Sequence, residues 1–326
     1  RRRLATTALA TFVVGAAVTA AFGTYAGVLV GFALIGLAKP TFDVAAHSYL
    51  ADRTPYDRRA RVLGILELTW AGSMLVGAPV VGWLIARYGW QSPFWVLAAI
   101  VAVVAVTTHV ALGPDRPTAA AGEPARWTLR LDRSAWGLLG VIAVASLAAE
   151  TSFVVFGAWL EDRFALSLVA LGGAGAAIAV AELAGSTTVL GVADRIGKRT
   201  TVMVGIAAAT SGFVFLPAAE RLASGLTLFA LALYGYELTI VAAIPLASEL
   251  RPESRGRYLS LLVVAVGLGR AVGAAIGPAL FEAFGIAADV VVSVVGNLIA
   301  IVILAAFVVE HPEHGRPPPP PPSHVA

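Results

Sequence analysis

Ten long apolar runs follow one another along this chain, separated by short polar connections. They cover approximately 4–23, 27–51, 62–85, 93–112, 136–159, 168–190, 200–218, 225–248, 258–281 and 289–309. Each is close to the ~20 residues that an α-helix needs to cross a hydrocarbon layer. None alternates with the ten-residue pattern of a barrel strand. The fold class expected is therefore an all-α integral membrane protein with ten transmembrane helices. Composition agrees: the chain is 58% hydrophobic and 13% charged, against about 25% charged in soluble domains. Arg1–Arg3 followed by an apolar run has the outline of a signal peptide, but that run has the length of a full span and nine more follow.

The absence of cysteine excludes disulfides, thiol chemistry and Cys-ligated metal. The net charge of +3 is spread over short loops and forms no basic face, so no nucleic-acid partner is expected. No HExxH or GxSxG signature appears, which leaves a membrane-embedded enzyme as a remote alternative. No cofactor and no metal are expected.

The cations are distributed unequally between the two sides. Odd-numbered loops and both ends carry 18 of them, the other loops carry three (Arg87, Arg163 and Arg221), and Lys39 and Arg270 lie inside spans. Cations concentrate on the cytoplasmic side, so both termini are expected in the cytoplasm of a multi-pass plasma-membrane protein. The longest connection holds Pro114, Pro117, Gly122 and Pro124. It divides the chain into four spans over 1–112, a cytoplasmic linker at 113–135 and six spans over 136–310. Residues 311–326 include Pro317–Pro322 and read as a disordered, extended tail.

The chain also repeats itself. A shift of 196 lays Arg61–Trp90 on Arg257–Ile286 without a gap, and eight of the 30 pairs are identical, among them Arg61/Arg257, Gly77/Gly273 and Gly89/Gly285. The same shift brings Arg1–Arg3 onto Gly197-Lys198-Arg199, so the first copy starts within the motif. The expected arrangement is two pseudo-symmetric helical bundles.

The polar turn at 190–199 resembles the loop G-x-L-A-D-R-x-G-R-K of the major facilitator superfamily of secondary transporters. Asp194, Arg195, Gly197, Lys198 and Arg199 match it, Val192 stands for Leu, and Leu190 replaces the first Gly. The third span is similar to that family's glycine–proline helix through Gly72, Gly77, Pro79 and Gly82, with Ala78 inserted before Pro79 and Trp83 in place of the last Gly. Its repeat partner carries Gly269, Gly273, Gly277 and Pro278. The resemblance covers about 1–310. It implies that the ten spans are family helices 3 to 12, with two helices preceding residue 1. It further implies a monomer in the bilayer that moves a small molecule by alternating access, coupled to protons, with efflux favoured over uptake. A truncated, transport-inactive remnant is the alternative. In the family the loop Asp helps to close the cytoplasmic side, so Asp194 is expected near residues 58–64.

An ionisable group at mid-span costs about 2.5–3.5 kcal/mol on insertion scales and therefore faces a cavity or a partner. Lys39, Asp43, Glu150, Glu237 and Arg270 lie closest to mid-span and are the candidate substrate and proton residues. Lys39 and Asp43, one turn apart, could also neutralise each other. Arg270 has no acid at i±3 or i±4, so its partner lies on another helix or is the substrate. Glu67 and Glu182 are expected to pair with loop arginines, and His47 to be structural. The first, fourth, seventh and tenth spans correspond to the family's outer helices, and every membrane-buried charge is expected on the other six.

Overall fold

The computed structural model describes residues 2–53, 73, 75–111 and 131–310. Among them there is no β-strand. The helices are α1 (Arg2–Ala21), α2 (Tyr25–Arg53), α3 (Leu75–Tyr88), α4 (Ser92–Ala111), α5 (Arg133–Phe153) and α6 (Phe156–Phe164). They continue with α7 (Leu168–Ile196), α8 (Lys198–Phe215), α9 (Leu222–Leu250), α10 (Arg255–Phe284) and α11 (Ile286–Phe307). Among the described residues nine stretches are long and apolar enough to cross a membrane, with α5 and α6 together forming one of them. The helix α3 is the described part of the expected third span. Most of the expected linker and the whole Pro-rich tail lie outside the described residues, as do Glu67 and Gly72 and the side chains of His47 and Asp194.

Two compact units are present. One comprises Arg1–Arg126 with Leu166–Ala176, the other Trp127–Ala165 with Ala177–Ala326. Inside the first, α1 packs on α2 and α4; inside the second, α8 packs on α9 and α11. The shift of 196 relates α1 to α8, α2 to α9 and α4 to α11, so the same neighbours recur within each unit. The turn between the third and fourth helices of each copy repeats as well. Gly89 has φ 87° and Gly285 has φ 72°, a left-handed backbone that glycine adopts without penalty.

Small residues set the helix contacts, as expected where lipid supplies no hydrophobic drive for helix association. A Cβ on Gly82 of α3 would lie 2.5 Å from the Leu168 carbonyl of α7, and one on Gly172 would lie 2.6 Å from the Ala78 carbonyl. At Gly77, by contrast, nothing among the described residues lies within 4 Å. The helix α11 is built inside out. Asp289, Ser293, Gly296, Asn297 and Ala300 are buried, while Val291, Val295, Leu298, Ile299 and Val302 are exposed. The core of the second unit is formed by Leu138, Ile142, Val202, Ile206, Leu246 and Tyr258. The Tyr258 hydroxyl donates to the Ala135 carbonyl at 2.7 Å, which satisfies its one polar atom.

Candidate functional site

Three glycines on α10 decide how α5 and α10 meet. Gly269, Gly273 and Gly277 lie against the backbone carbonyls of Ala143, Leu147 and Thr151, a spacing of four on both helices. With no Cβ in the way, the two backbones approach closely, and the residues beside the seam are brought within side-chain reach. Arg270 on α10 donates from Nε to Oε2 of Glu150 on α5 at 2.7 Å. The partner of Arg270 thus lies on another helix, and it is Glu150.

Glu237 on α9 is held differently. Gly185 of α7 sits against the Tyr234 carbonyl and the Glu237 Cβ, and its neighbour Ser186 donates from Oγ to Glu237 Oε1 at 2.6 Å. No cation forms a salt bridge with Glu237 among the described residues. Two tyrosines beside it on α9 are bonded to other helices. Tyr236 donates to Ser146 Oγ at 3.1 Å, and Tyr234 donates to Thr188 Oγ1 at 3.2 Å. Serine and tyrosine carry no signal of their own in a hydropathy reading, and Ser146, Ser186 and Tyr236 become visible only through this packing.

One expectation is corrected here: an ionisable residue is also buried on α11, the tenth span, because Asp289 is fully covered. Among the described residues Glu182 forms no salt bridge with a loop arginine, and it lies close enough to Glu237 and Arg270 for their charges to act on it, so the three are grouped. In the first unit Lys39 and Asp43 form an i,i+4 ion pair at 2.5 Å on α2, close to Pro40. Among the described residues no group of three or more His, Asp or Glu is placed to hold a metal ion.

The polar turn is tied down inside its own unit. Gly197, at φ 89°, ends α7 and starts α8. Lys198 pairs with Glu249 at the end of α9. Arg199 donates to the last carbonyls of α11, Ala305 O at 3.1 Å and Leu304 O at 3.4 Å, a placement that suits a cation at a helix C-terminus. Backbone N–H groups of Lys198 and Arg199 both donate to the Glu310 carboxylate at 3.0 Å. Arg195 is exposed. The expected approach of Asp194 to residues 58–64 lies outside the described residues.

The family model described as Major Facilitator Superfamily matches residues 1–235 and, overlapping, 138–325. The chain belongs to the Major Facilitator Superfamily. As a member it is a multi-pass membrane transporter of small molecules and not an enzyme. Over 310 residues it is 24% identical to the MFS-type transporter YwfA of Bacillus subtilis, covering 91% of this chain and 72% of that protein. It is 35% identical over 121 residues to the multidrug resistance protein MdtL of Klebsiella pneumoniae, covering 36% of this chain and 30% of that protein. To the class G tetracycline resistance protein of Vibrio anguillarum it is 28% identical over 201 residues, 59% of this chain and 51% of that one. A crystal structure of a bacterial homolog of the human lysosomal transporter Spinster, inward-facing and occupied, shares the superfamily fold. It has a TM-score of 0.71 and 15% identity, covering 93% of this chain and 81% of that one.

Proposed function

We propose that this transporter moves its small-molecule substrate by alternating access, coupled to protons, in the direction of efflux across the plasma membrane, with both termini cytoplasmic. The observation that carries the coupling is the division of labour between two acids. Arg270 is engaged by Glu150, which leaves Glu237 with a neutral hydroxyl as its partner. A carboxylate in a low-dielectric setting without a cation is best accommodated by taking up a proton. Glu237 is therefore the proton carrier, Glu150 and Arg270 are its fixed neighbours, and Glu182 adds a second acid to the same cluster. The direction is supported by the resistance proteins among the relatives. In the first unit Lys39 and Asp43 supply a charged pair on α2.

The test is Glu237→Gln in the intact protein reconstituted into vesicles. Transport driven by a proton gradient should be lost, while gradient-independent exchange of substrate across the membrane should persist. Full proton-driven transport by this variant would remove Glu237 from the role.

A further inference from the structure

Asp289 stands in the first turn of α11 and is fully covered, at 0% exposure, yet neither Oδ1 nor Oδ2 has a hydrogen-bond partner. The same face of α11 stays polar for two more turns. Ser293 donates to the Ala148 carbonyl of α5 at 2.6 Å, and its Oγ lies 2.8 Å from Ser152 Oγ. Since Ser293 has spent its single proton on Ala148, Ser152 is the donor of that second bond. Asn297, 2% exposed, has an Nδ2 without a partner. This stripe is turned towards α5: a Cβ on Gly296 would lie 3.1 Å from the Ala148 Cβ.

Around α11 are packed α5, α8, α10 and the short turn Leu216–Ala218. The ionisable groups of those elements are otherwise placed. On α5, Glu150 pairs with Arg270 of α10, and Arg133 lies over the Phe307 ring at the far end of α11. On α8, Lys198 pairs with Glu249, and Arg199 is bonded to the C-terminal carbonyls of α11. Arg255, Arg257 and Tyr258 stand at the opposite end of α10 from Glu282, which is exposed. None of them forms an ion pair with Asp289 among the described residues.

An ionised carboxylate sealed from water needs a cation or several donors, and Asp289 has neither. The positive end of the α11 dipole offsets only part of that cost. A proton removes the charge and leaves a neutral carboxylic acid that the covered position tolerates. We propose that Asp289 is a proton-binding site at the α5–α11 seam and holds its proton in this conformation. It is distinct from Glu237 and independent of the coupling assigned above. On α5, Ser152 faces this seam and Glu150, two residues earlier, faces α10, so one helix borders both acidic positions.

The experiment is infrared spectroscopy of the intact protein in lipid nanodiscs at neutral pH, with aspartate carboxyl carbons labelled by 13C. The expected result is a carbonyl band of a protonated carboxylic acid that shifts with the label and is missing from Asp289→Asn. Should that variant fail to fold, Asp289→Glu serves instead, because it keeps an acid but removes the label-sensitive band. Absence of the band in the wild type, or its persistence in the variant, overturns the proposal. Thermal stability of the wild type is measured in sodium and in choline salts at equal ionic strength. Equal values are expected; a rise specific to sodium would place a metal cation at Asp289 and overturn the proton.

Discussion

Arg270 reaches Glu150 at the one seam where glycines bring α10 and α5 into backbone contact, Nε to Oε2 at 2.7 Å. The acid is the more enclosed partner, its side chain 15% exposed against 44% for the arginine. Removing Arg270 therefore leaves a largely covered carboxylate alone. Arg270→Gln should cost about 1–3 kcal/mol, the range for a buried polar group deprived of its partner and below that of a fully buried ion pair. Glu150→Gln, which leaves the more exposed group unpaired, should cost less. The double variant should be more stable than the sum of the two singles, read from detergent melting curves as a double-mutant cycle. Strict additivity would show that the pair contributes nothing.

The glycine seam makes a separate prediction. A Cβ at Gly273 would lie 2.6 Å from the Leu147 carbonyl and 2.9 Å from the Glu150 Cβ, so Gly273→Ala must push the helices apart. The expected cost is about 1–3 kcal/mol, as for other overpacked interiors. Gly267, on the same helix, has nothing within 4 Å of its Cβ position among the described residues, and Gly267→Ala should be neutral or slightly stabilising. Equal melting temperatures for the two variants would refute the packing argument.

These contacts show where sequence reading succeeds and where it stops. Span positions were legible because a run of ~20 apolar residues has few other uses. That Arg270 must find its acid on another helix was also legible, from the absence of Asp or Glu at i±3 and i±4. Which acid it finds was not, because the choice between Glu150 and Glu237 depends on the α5–α10 register set by Gly269, Gly273 and Gly277. The grouping of Glu182 with Glu237 was not legible for a related reason: position along a helix says nothing of the direction in which the side chain points. Asp289 is the first residue of the tenth span, and its place along the chain does not say which way its side chain is turned. Only the packing of Ser293 against Ala148 and Ser152 shows that this face of α11 is turned inwards.

The ion pair on α2 offers a test in the other unit. Lys39 and Asp43 neutralise each other one turn apart, with side chains 44% and 36% exposed. An i,i+4 pair on an accessible helix face contributes only about 0.2–0.5 kcal/mol. The melting temperature of Lys39→Met together with Asp43→Asn should therefore stay within a few degrees of the wild type. If the pair serves transport and not stability, the same double variant should lose activity in the vesicle assay. A large drop in stability with activity retained in the surviving fraction would make the pair structural.

The last prediction concerns Glu310, the residue just before the Pro-rich tail, to which sequence reading assigns no role. Its carboxylate accepts from the backbone N–H groups of Lys198 and Arg199, both at 3.0 Å, at the start of α8. The first N–H groups of a helix have no partner within it, and an anion placed there also meets the positive end of the dipole. Gly197 offers no side chain to cap them, and a Cβ in its place would lie 3.1 Å from Glu310 Oε2. The chain after α11 is held in position by the Val309 N–H, which donates to Ser134 Oγ at 2.8 Å. Glu310 thus joins the polar turn that carries Asp194 and Arg195 to the end of α11. Glu310→Ala should destabilise the start of α8 by about 0.5–2 kcal/mol, the usual range for a lost cap. Hydrogen exchange of the Lys198 and Arg199 amides should accelerate by a factor of roughly 2–30, that range converted to an opening equilibrium. Glu310→Gln keeps an acceptor and should recover part of the protection. Unchanged exchange at both amides in Glu310→Ala would show that the carboxylate does not hold this turn.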